Sequence, residues 1–193
     1  IQDHKRAYEG DVGPNTGGMG CYSDSNHSLP FLNDNEIFEA REINEKVAQA
    51  LFEHTGELYR GILYGGFMAT ANGVKLIEYN ARFGDPEAMN LLALLRTDFA
   101  SICFDIVEGN LNSVDFSNMA SVCKYVVPKG YGSNPSKDTT LNIDESYKEY
   151  SDIYYAAVNQ NSDGIITTTS SRAAAVVSIG ESIEEAERMC EKG

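Results

Sequence analysis

Apolar residues recur at three- and four-residue steps over residues 35–54 and predict one long amphipathic helix. The repeat runs through Ile37, Ala40, Ile43, Val47, Ala48 and Leu51. Gly56 follows as a natural helix stop. A second apolar repeat predicts a helix with Pro86 in its first turn. A third helix is expected after Thr97 as its cap, and Gly109 would end it.

Other segments have the patterns of strands. The Asn72-Gly73 step between residues 59–70 and 74–80 predicts an antiparallel hairpin. Residues 120–127, 153–158 and 173–179 are also strand-like, and Ser182 with Glu185 forms the pattern of a capping box for a last helix. Residues 1–36 lack a clear period and are rich in Gly, Asn, Asp and Ser, so they are interpreted as functional loops.

Helices mixed with antiparallel strands give an α/β (α+β) fold class. A polar connector at residues 111–118 is the preferred boundary, which predicts one domain over residues 1–115 and a second, small mixed one over residues 116–193. The chain begins without Met and stops in a helical pattern, and we therefore expect it to be part of a longer protein. No apolar run approaches the ~20 residues that cross a bilayer.

Composition narrows the class of partner. The 193 residues are 42% hydrophobic and 23% charged, as in an ordinary globular protein, with a formal net charge of −14. The electrostatic field of this negative charge disfavours nucleic acid and acidic membranes as partners, but it does not exclude a local basic pocket. The four cysteines, Cys21, Cys103, Cys123 and Cys190, show no paired spacing. We interpret them as small buried hydrophobes of a protein in the reducing cytoplasm.

The segment KLIEYNARFGDPE, residues 75–87, is the most informative part of the chain. In a strand, Glu78 and Asn80 share one face, about 7 Å apart along the chain. A carboxylate and an amide oxygen suit a hard cation such as Mg²⁺, and Arg82 follows where a guanidinium could neutralise a transferring phosphoryl group. The alternative is a solvated polar face that ends at an Asp-Pro turn.

The segment GPNTGGMG, residues 13–20, is rich in glycine. Its backbone N–H groups could form an anion-binding nest. Lys5 and Arg6, the only basic residues among the first forty, lie just upstream and favour a phosphate pocket. The segment is neither a Walker loop nor a dinucleotide fingerprint. Taken alone, it could equally be a flexible surface turn.

Together these segments resemble the glycinamide ribonucleotide synthetases, also called phosphoribosylamine–glycine ligases. The resemblance rests on QDHKR, GPNTGGMG, YRGILYGGFM, KLIEYNARFGDPE and ASVCKYVVPKGY, in the family's order. It implies the second half of an ATP-grasp domain followed by most of the family's C-terminal domain. It also implies an ATP-dependent ligase that joins glycine to 5-phosphoribosylamine through a glycyl phosphate, in purine synthesis.

The resemblance also implies roles for individual residues. Glu78 and Asn80 match ligands of Mg²⁺ or Mn²⁺, and Arg82 matches the catalytic arginine at the reacting phosphoryl and carboxylate groups. The residues that match substrate-binding positions are Asp3, Lys5, Arg6, Gly17, Gly18, Met19, Gly20, Asp85, Pro86 and Glu87. His4 could contact a ligand, or its neighbours could satisfy it.

The family's nucleotide-clamping lobe and its amino-terminal domain have no counterpart in these 193 residues. We therefore expect half an active site and no turnover by the chain alone. Two alternatives stay open: a non-catalytic module that binds phosphate or metal, and another ATP-grasp carboxylate–amine ligase. An oxidoreductase is disfavoured because the strand–glycine–helix order is absent.

Overall fold

The computed structural model describes residues 1–193 and contains nine strands and four α-helices, with every paired strand antiparallel. The strands are β1 Gln2–Tyr8, β2 Val12–Ser23, β3 Tyr64–Thr70, β4 Gly73–Asn80, β5 Ala120–Val126, β6 Asp152–Tyr155, β7 Val158–Gln160, β8 Ile166–Thr168 and β9 Ala174–Gly180. The helices are α1 Asp34–Thr55, α2 Glu87–Leu94, α3 Phe99–Glu108 and α4 Ile183–Cys190, with a short 3₁₀ helix at Glu145–Glu149. This mixture of helices and antiparallel sheets confirms the predicted α/β (α+β) class.

By their contacts, the residues divide into two compact units, and each is described by itself. The first unit comprises Ile1–Ser28, Asp85–Leu94 and Ser117–Gly193, and the second comprises Leu29–Gly84 and Leu95–Phe116. These groupings are discontinuous along the chain. The division into domains at residues 115 and 116 therefore stays a prediction.

A five-stranded sheet organises the first unit, in the order β1-β2-β5-β9-β6. Alternate residues of its strands face opposite sides. On one side Cys21, Cys123 and Val177 form a buried cluster against Met89 of α2. On the other side a second cluster centres on Val176 and lies against α4. The two helices thus cover opposite faces, and α2 brings the residues after Asp85 onto one of them.

The second unit is built on the hairpin of β3 and β4 and on α1. Asn33 and Glu36 form a complete capping box at the start of α1, and Gly56 ends the helix in the left-handed conformation at φ 75°. Helix and hairpin are joined by the Glu39 carboxylate, which accepts a 2.9 Å bond from the Val74 N–H. None of the helices is both long and apolar enough to span a bilayer.

Several predicted elements are confirmed, namely α1, the hairpin, α3 with its stop at Gly109, and the strands near residues 120 and 174. The loop interpretation of residues 1–36 is wrong, because β1 and β2 occupy most of them. Glycines and polar side chains interrupt the alternation of apolar and polar residues from which a strand is predicted. Residues 111–115, most of the predicted connector, carry no helix or strand.

Three smaller expectations also need correction. Asp98, rather than Thr97, caps α3, because its carboxylate accepts the Ser101 N–H. The capping box of α4 is incomplete, since the Glu185 carboxylate accepts the Glu181 N–H. Cys103 is exposed, whereas the other three cysteines are buried and all four are free.

Candidate functional site

The hairpin presents the two residues predicted to bind metal on one face of β4. The Asn80 amide lies 3.3 Å from the Glu78 carboxylate, as an Nδ2–Oε1 contact. Because the amide O and N positions are interchangeable assignments, a flipped amide would place two oxygens side by side. Gly66 is the register partner of Glu78 on β3 and adds no side chain over it. The strand thus leaves Glu78 exposed and able to take a ligand.

This pair fits a small hard cation. Two oxygens bound at right angles to Mg²⁺ are separated by about 3 Å, close to the separation in the hairpin. No group of three or more His, Cys, Asp or Glu side chains is available to hold a metal. A cation here would therefore complete its shell with phosphate and water oxygens, as Mg²⁺ commonly does. Arg82 is exposed just beyond β4, and its Nη1 donates to the Phe83 carbonyl at 2.7 Å.

In the first unit, the GPNTGGMG segment is a wide bulge in β2. The register pairs His4 with Gly20 but Arg6 with Asn15, so residues 16–19 face only Lys5 of β1. The Thr16 hydroxyl anchors the bulge by donating to the Lys5 carbonyl at 2.9 Å. It also accepts the Gly18 N–H at 3.1 Å. Bulges often occur beside active sites, where they redirect the backbone.

Two glycines of this segment are required by the structure itself. Gly18 has φ +117°, and a Cβ there would lie 2.7 Å from Pro86 Cδ and 3.1 Å from Asp3 Oδ1. At Gly20 a Cβ would lie 2.3 Å from the Cys123 carbonyl oxygen. Glycine is thus needed at position 18 for its positive φ, and at position 20 because the backbone of β2 comes too close to that of β5 for a side chain.

Asp3 lies beside this bulge and is largely buried. Its side chain is 12% exposed, and its Oδ1 is buried without a hydrogen-bond partner. Its other oxygen lies 3.5 Å from Lys5 Nζ. Burial, and secondly the charge of Glu87, raise the pKa of Asp3 above its ordinary value. Glu87 is 5% exposed, so two acidic side chains occupy poorly solvated positions here.

The basic pair predicted to form a phosphate pocket is partly engaged. Lys5 is paired with Asp3, and Arg6 Nη1 donates to the Gly13 carbonyl at 2.9 Å. His4 is exposed on β1. The structure therefore places these three residues along one strand, with the charges of Lys5 and Arg6 directed to protein groups.

Arg172 is the main residue that the sequence reasoning missed. Its Nη2 lies 2.6 Å from Asp85 Oδ2, and its Nη1 donates to the carbonyls of Gly17 at 3.1 Å and Gly18 at 3.4 Å. The guanidinium also stacks 4.4 Å from the ring centroid of Tyr125. The Tyr125 hydroxyl donates to the other Asp85 oxygen at 2.8 Å. A lone arginine immediately before a buried strand was the signal available in the sequence.

Tyr125 and Asn90 are further residues that the sequence did not single out. Burial, and secondly the hydrogen bond to Asp85, raise the pKa of Tyr125, so it remains a donor at neutral pH. Asn90 of α2 is 0% exposed and donates to the carbonyls of Cys21 at 3.2 Å and Ser121 at 3.1 Å. It ties α2 to both strands beneath it and so fixes the start of the helix, which carries Glu87.

Comparison with known proteins agrees with this architecture. Residues 1–88 match the model of the phosphoribosylglycinamide synthetase ATP-grasp (A) domain, and residues 121–193 match the model of the C domain of the same enzyme. The chain thus combines a segment that matches an ATP-grasp domain with a segment that matches the C domain. It belongs to the phosphoribosylglycinamide synthetase family.

Individual relatives carry a consistent name. The phosphoribosylamine–glycine ligase of Methanothermobacter thermautotrophicus is 53% identical over 194 residues, and that of Methanocella arvoryzae is 51% identical over 195. Both alignments cover 100% of this chain and 44% of the relative. The crystal structure of the Thermotoga maritima phosphoribosylamine–glycine ligase has a TM-score of 0.80 at 29% identity, covering 99% of this chain and 46% of that one. The chain therefore spans less than half the length of the relatives it matches.

Proposed function

We propose that this chain is part of an ATP-dependent ligase that joins glycine to 5-phosphoribosylamine, giving glycinamide ribonucleotide, ADP and phosphate. The observation that carries the proposal is the Glu78–Asn80 pair on β4 with Arg82 just beyond it. These residues lie in the segment that matches the ATP-grasp domain. The names of relatives about half identical to this chain support the same substrates.

The chemistry explains why such residues are needed. The glycine carboxylate attacks the γ-phosphorus of ATP, forming a glycyl phosphate and releasing ADP. The amine of phosphoribosylamine then attacks the acyl carbon, phosphate leaves, and the amine proton passes to a base. The first step brings a carboxylate against a triphosphate, so cationic groups must offset the repulsion.

The residues of the second unit would serve that first step. Glu78 and Asn80 would hold Mg²⁺ or Mn²⁺, which neutralises phosphate charge when bound. Arg82 would stabilise charge on the reacting phosphoryl and carboxylate groups. Its 2.7 Å bond to the adjacent Phe83 carbonyl leaves most of its five N–H donors for a ligand.

The residues of the first unit would bind the other substrates. Backbone groups of Gly17, Gly18, Met19 and Gly20 would contact phosphoribosylamine, with Asp3, Lys5 and Arg6 beside them. Asp85, Pro86 and Glu87 would shape the glycine site. The Asp3 Oδ1, which is buried without a hydrogen-bond partner, supports substrates that carry an amine, as both glycine and phosphoribosylamine do.

The test uses a polypeptide of the relatives' length that carries these 193 residues, called here the full-length ligase. With ATP, glycine and phosphoribosylamine it should form glycinamide ribonucleotide. With ATP, glycine and hydroxylamine alone it should release ADP and form glycine hydroxamate, which reports the glycyl phosphate. Absence of both products would refute the proposal. The 193-residue chain by itself should release no glycine-dependent ADP.

A matched pair of variants tests the metal site. Glu78→Gln removes one ligand charge and should lower turnover by about 10- to 100-fold, with a higher Mg²⁺ or Mn²⁺ requirement. Glu57→Gln removes the same charge from an exposed position after α1 and should leave both unchanged. An unchanged metal requirement in Glu78→Gln would remove Glu78 from the ligand set.

A further inference from the structure

The bulge of β2 depends on one side chain from a distant part of the sequence. Residues 16–19 have no register partner on β5, because that pairing begins at Gly20 with Lys124. On β1 they face only Lys5. The strand ladder therefore leaves the peptide planes of these residues unfixed, and Arg172 donates to the carbonyls of two of them.

A carbonyl and the N–H of the next residue lie in one rigid plane. By holding the Gly17 and Gly18 carbonyls, Arg172 also sets where the N–H groups of Gly18 and Met19 point. The Gly18 N–H is directed to Thr16, whereas the Met19 N–H belongs to the plane that Arg172 anchors at 3.4 Å. Gly18 adopts φ +117° with no side chain to restrict it, so the peptide plane between Gly18 and Met19 needs an anchor.

We propose that Arg172 is a positioning residue for the phosphoribosylamine step: it orients the backbone of residues 17–19 and holds the Asp85 carboxylate beside them. The inference rests on the proposed function for its substrate. Arg172 acts through the backbone it holds. Its guanidinium is committed to Asp85, two carbonyls and the Tyr125 ring.

Arginine is required at this position by geometry. The planar guanidinium meets Asp85 with one nitrogen and the two carbonyls with another, while its face stacks on Tyr125. Lysine has a single ammonium and no planar face, so it can replace the charge but not this set of contacts.

The contacts contribute more to position than to stability. Asp85 is 54% exposed, so its carboxylate remains hydrated when Arg172 is removed. Ion pairs with an exposed partner add little to folding. The Arg172→Ala variant should therefore fold, while the bulge loses its anchor.

The kinetic test uses Arg172→Ala, Arg172→Lys and the control Lys124→Ala in the full-length ligase. Lys124 neighbours Tyr125 on β5 and pairs with Glu187 and Glu191 of the α4 region, so its loss removes the same charge elsewhere on the sheet. Arg172→Ala should raise the KM for phosphoribosylamine or lower kcat for the ribonucleotide by about 10- to 100-fold. Because the Tyr125 hydroxyl still donates to Asp85 in this variant, its hydroxamate formation from glycine and ATP should stay within about threefold of wild type.

Chemical rescue separates positioning from folding. Guanidinium ion at millimolar concentration should restore part of the Arg172→Ala activity, whereas ammonium ion should not, and Arg172→Lys should remain impaired. An equal loss in hydroxamate formation, or ribonucleotide synthesis within about threefold of wild type, would overturn the inference.

A measurement on the 193-residue chain is independent of activity. In amide NMR spectra, Arg172→Ala should shift or broaden the Gly18 and Met19 resonances, while Lys124→Ala should leave them in place. Unchanged Gly18 and Met19 resonances in Arg172→Ala would overturn the inference even where the ligase activity is as proposed. If wild-type full-length ligase makes no ribonucleotide, the proposed function fails, and this spectrum still decides whether Arg172 orients the bulge.

Discussion

Replacing Gly18 by alanine should destabilise the chain for two separable reasons. The first is backbone strain, because φ +117° is a region that side-chain-bearing residues rarely adopt, at a cost of about 1–3 kcal/mol. The second is overlap, since the new Cβ would lie 2.7 Å from Cδ of the rigid Pro86 ring. Overpacking of this kind costs about 1–3 kcal/mol. We expect a total loss of about 4 kcal/mol in the free energy of unfolding.

Two other glycines separate these contributions. Gly10 has φ +77° with nothing within 4 Å of its Cβ position, so Gly10→Ala carries strain alone. At Gly17 the closest atoms would lie 3.6 Å away, on Arg172, which is ordinary contact. No positive φ applies there. Gly17→Ala should therefore stay within about 1 kcal/mol of wild type, because unfolded-state entropy offsets small costs.

The assay is urea unfolding followed by circular dichroism, with a thermal melt beside it. For a chain of this size each kcal/mol shifts Tm by about 2–4 °C, so Gly18→Ala should melt about 8–16 °C lower. The expected order of stability is wild type and Gly17→Ala, then Gly10→Ala, then Gly18→Ala. Equal stability of Gly17→Ala and Gly18→Ala would refute the reasoning, because neither the positive φ nor the contact with Pro86 would then cost anything.

Two further variants test buried polar groups. Asn90→Ala leaves the Cys21 and Ser121 carbonyls without their buried donor and should cost about 2–4 kcal/mol in urea unfolding, whereas Asn112→Ala on the exposed connector should cost almost nothing. Asp3 has a folded pKa raised above its ordinary 3.8, so the native state binds its proton more tightly and loses stability as pH rises through that folded pKa. Asp3→Asn should therefore gain stability relative to wild type between pH 4 and pH 7; a gain that is largest at the acidic end would contradict this sign.

The sequence predicted the parts of the fold in which local pattern and tertiary role agree. The long helix, for example, has an apolar face, a capping residue and a glycine stop in the chain itself, and all three act as expected in α1. The hairpin followed from Asn72-Gly73 in the same way, and with it the shared face of Glu78 and Asn80. Both features are local, so no distant contact was needed to find them.

The errors arose where the structure depends on distant residues. The β2 strand looks like a loop because its bulge is stabilised by Thr16, Lys5 and Arg172 rather than by an apolar alternation. Arg172 meets Asp85 from 87 residues away. Tyr125 and Asn90 likewise lie on strands or helices whose neighbours only the folded chain reveals. The sequence marks Arg172 as a lone arginine before an apolar strand, but it does not show which distant residue that arginine meets.

The charges around the bulge argue for substrates that carry an amine. Lys5 and Arg172 are the cations near Asp3, and each is paired with a carboxylate, Asp3 and Asp85 respectively. Glu87 adds a further acid at a buried position.

A pocket that binds a phosphate group through cationic side chains needs cations that are not already paired. Lys5 and Arg172 are both paired with carboxylates. The same arrangement suits a substrate that carries its own cationic or donor nitrogen, because that group can meet the buried Oδ1 of Asp3 while backbone N–H groups meet the anionic end. On this argument the glycine-rich segment and the acids beside it act together in the proposed site, and the basic pair of β1 is secondary to them.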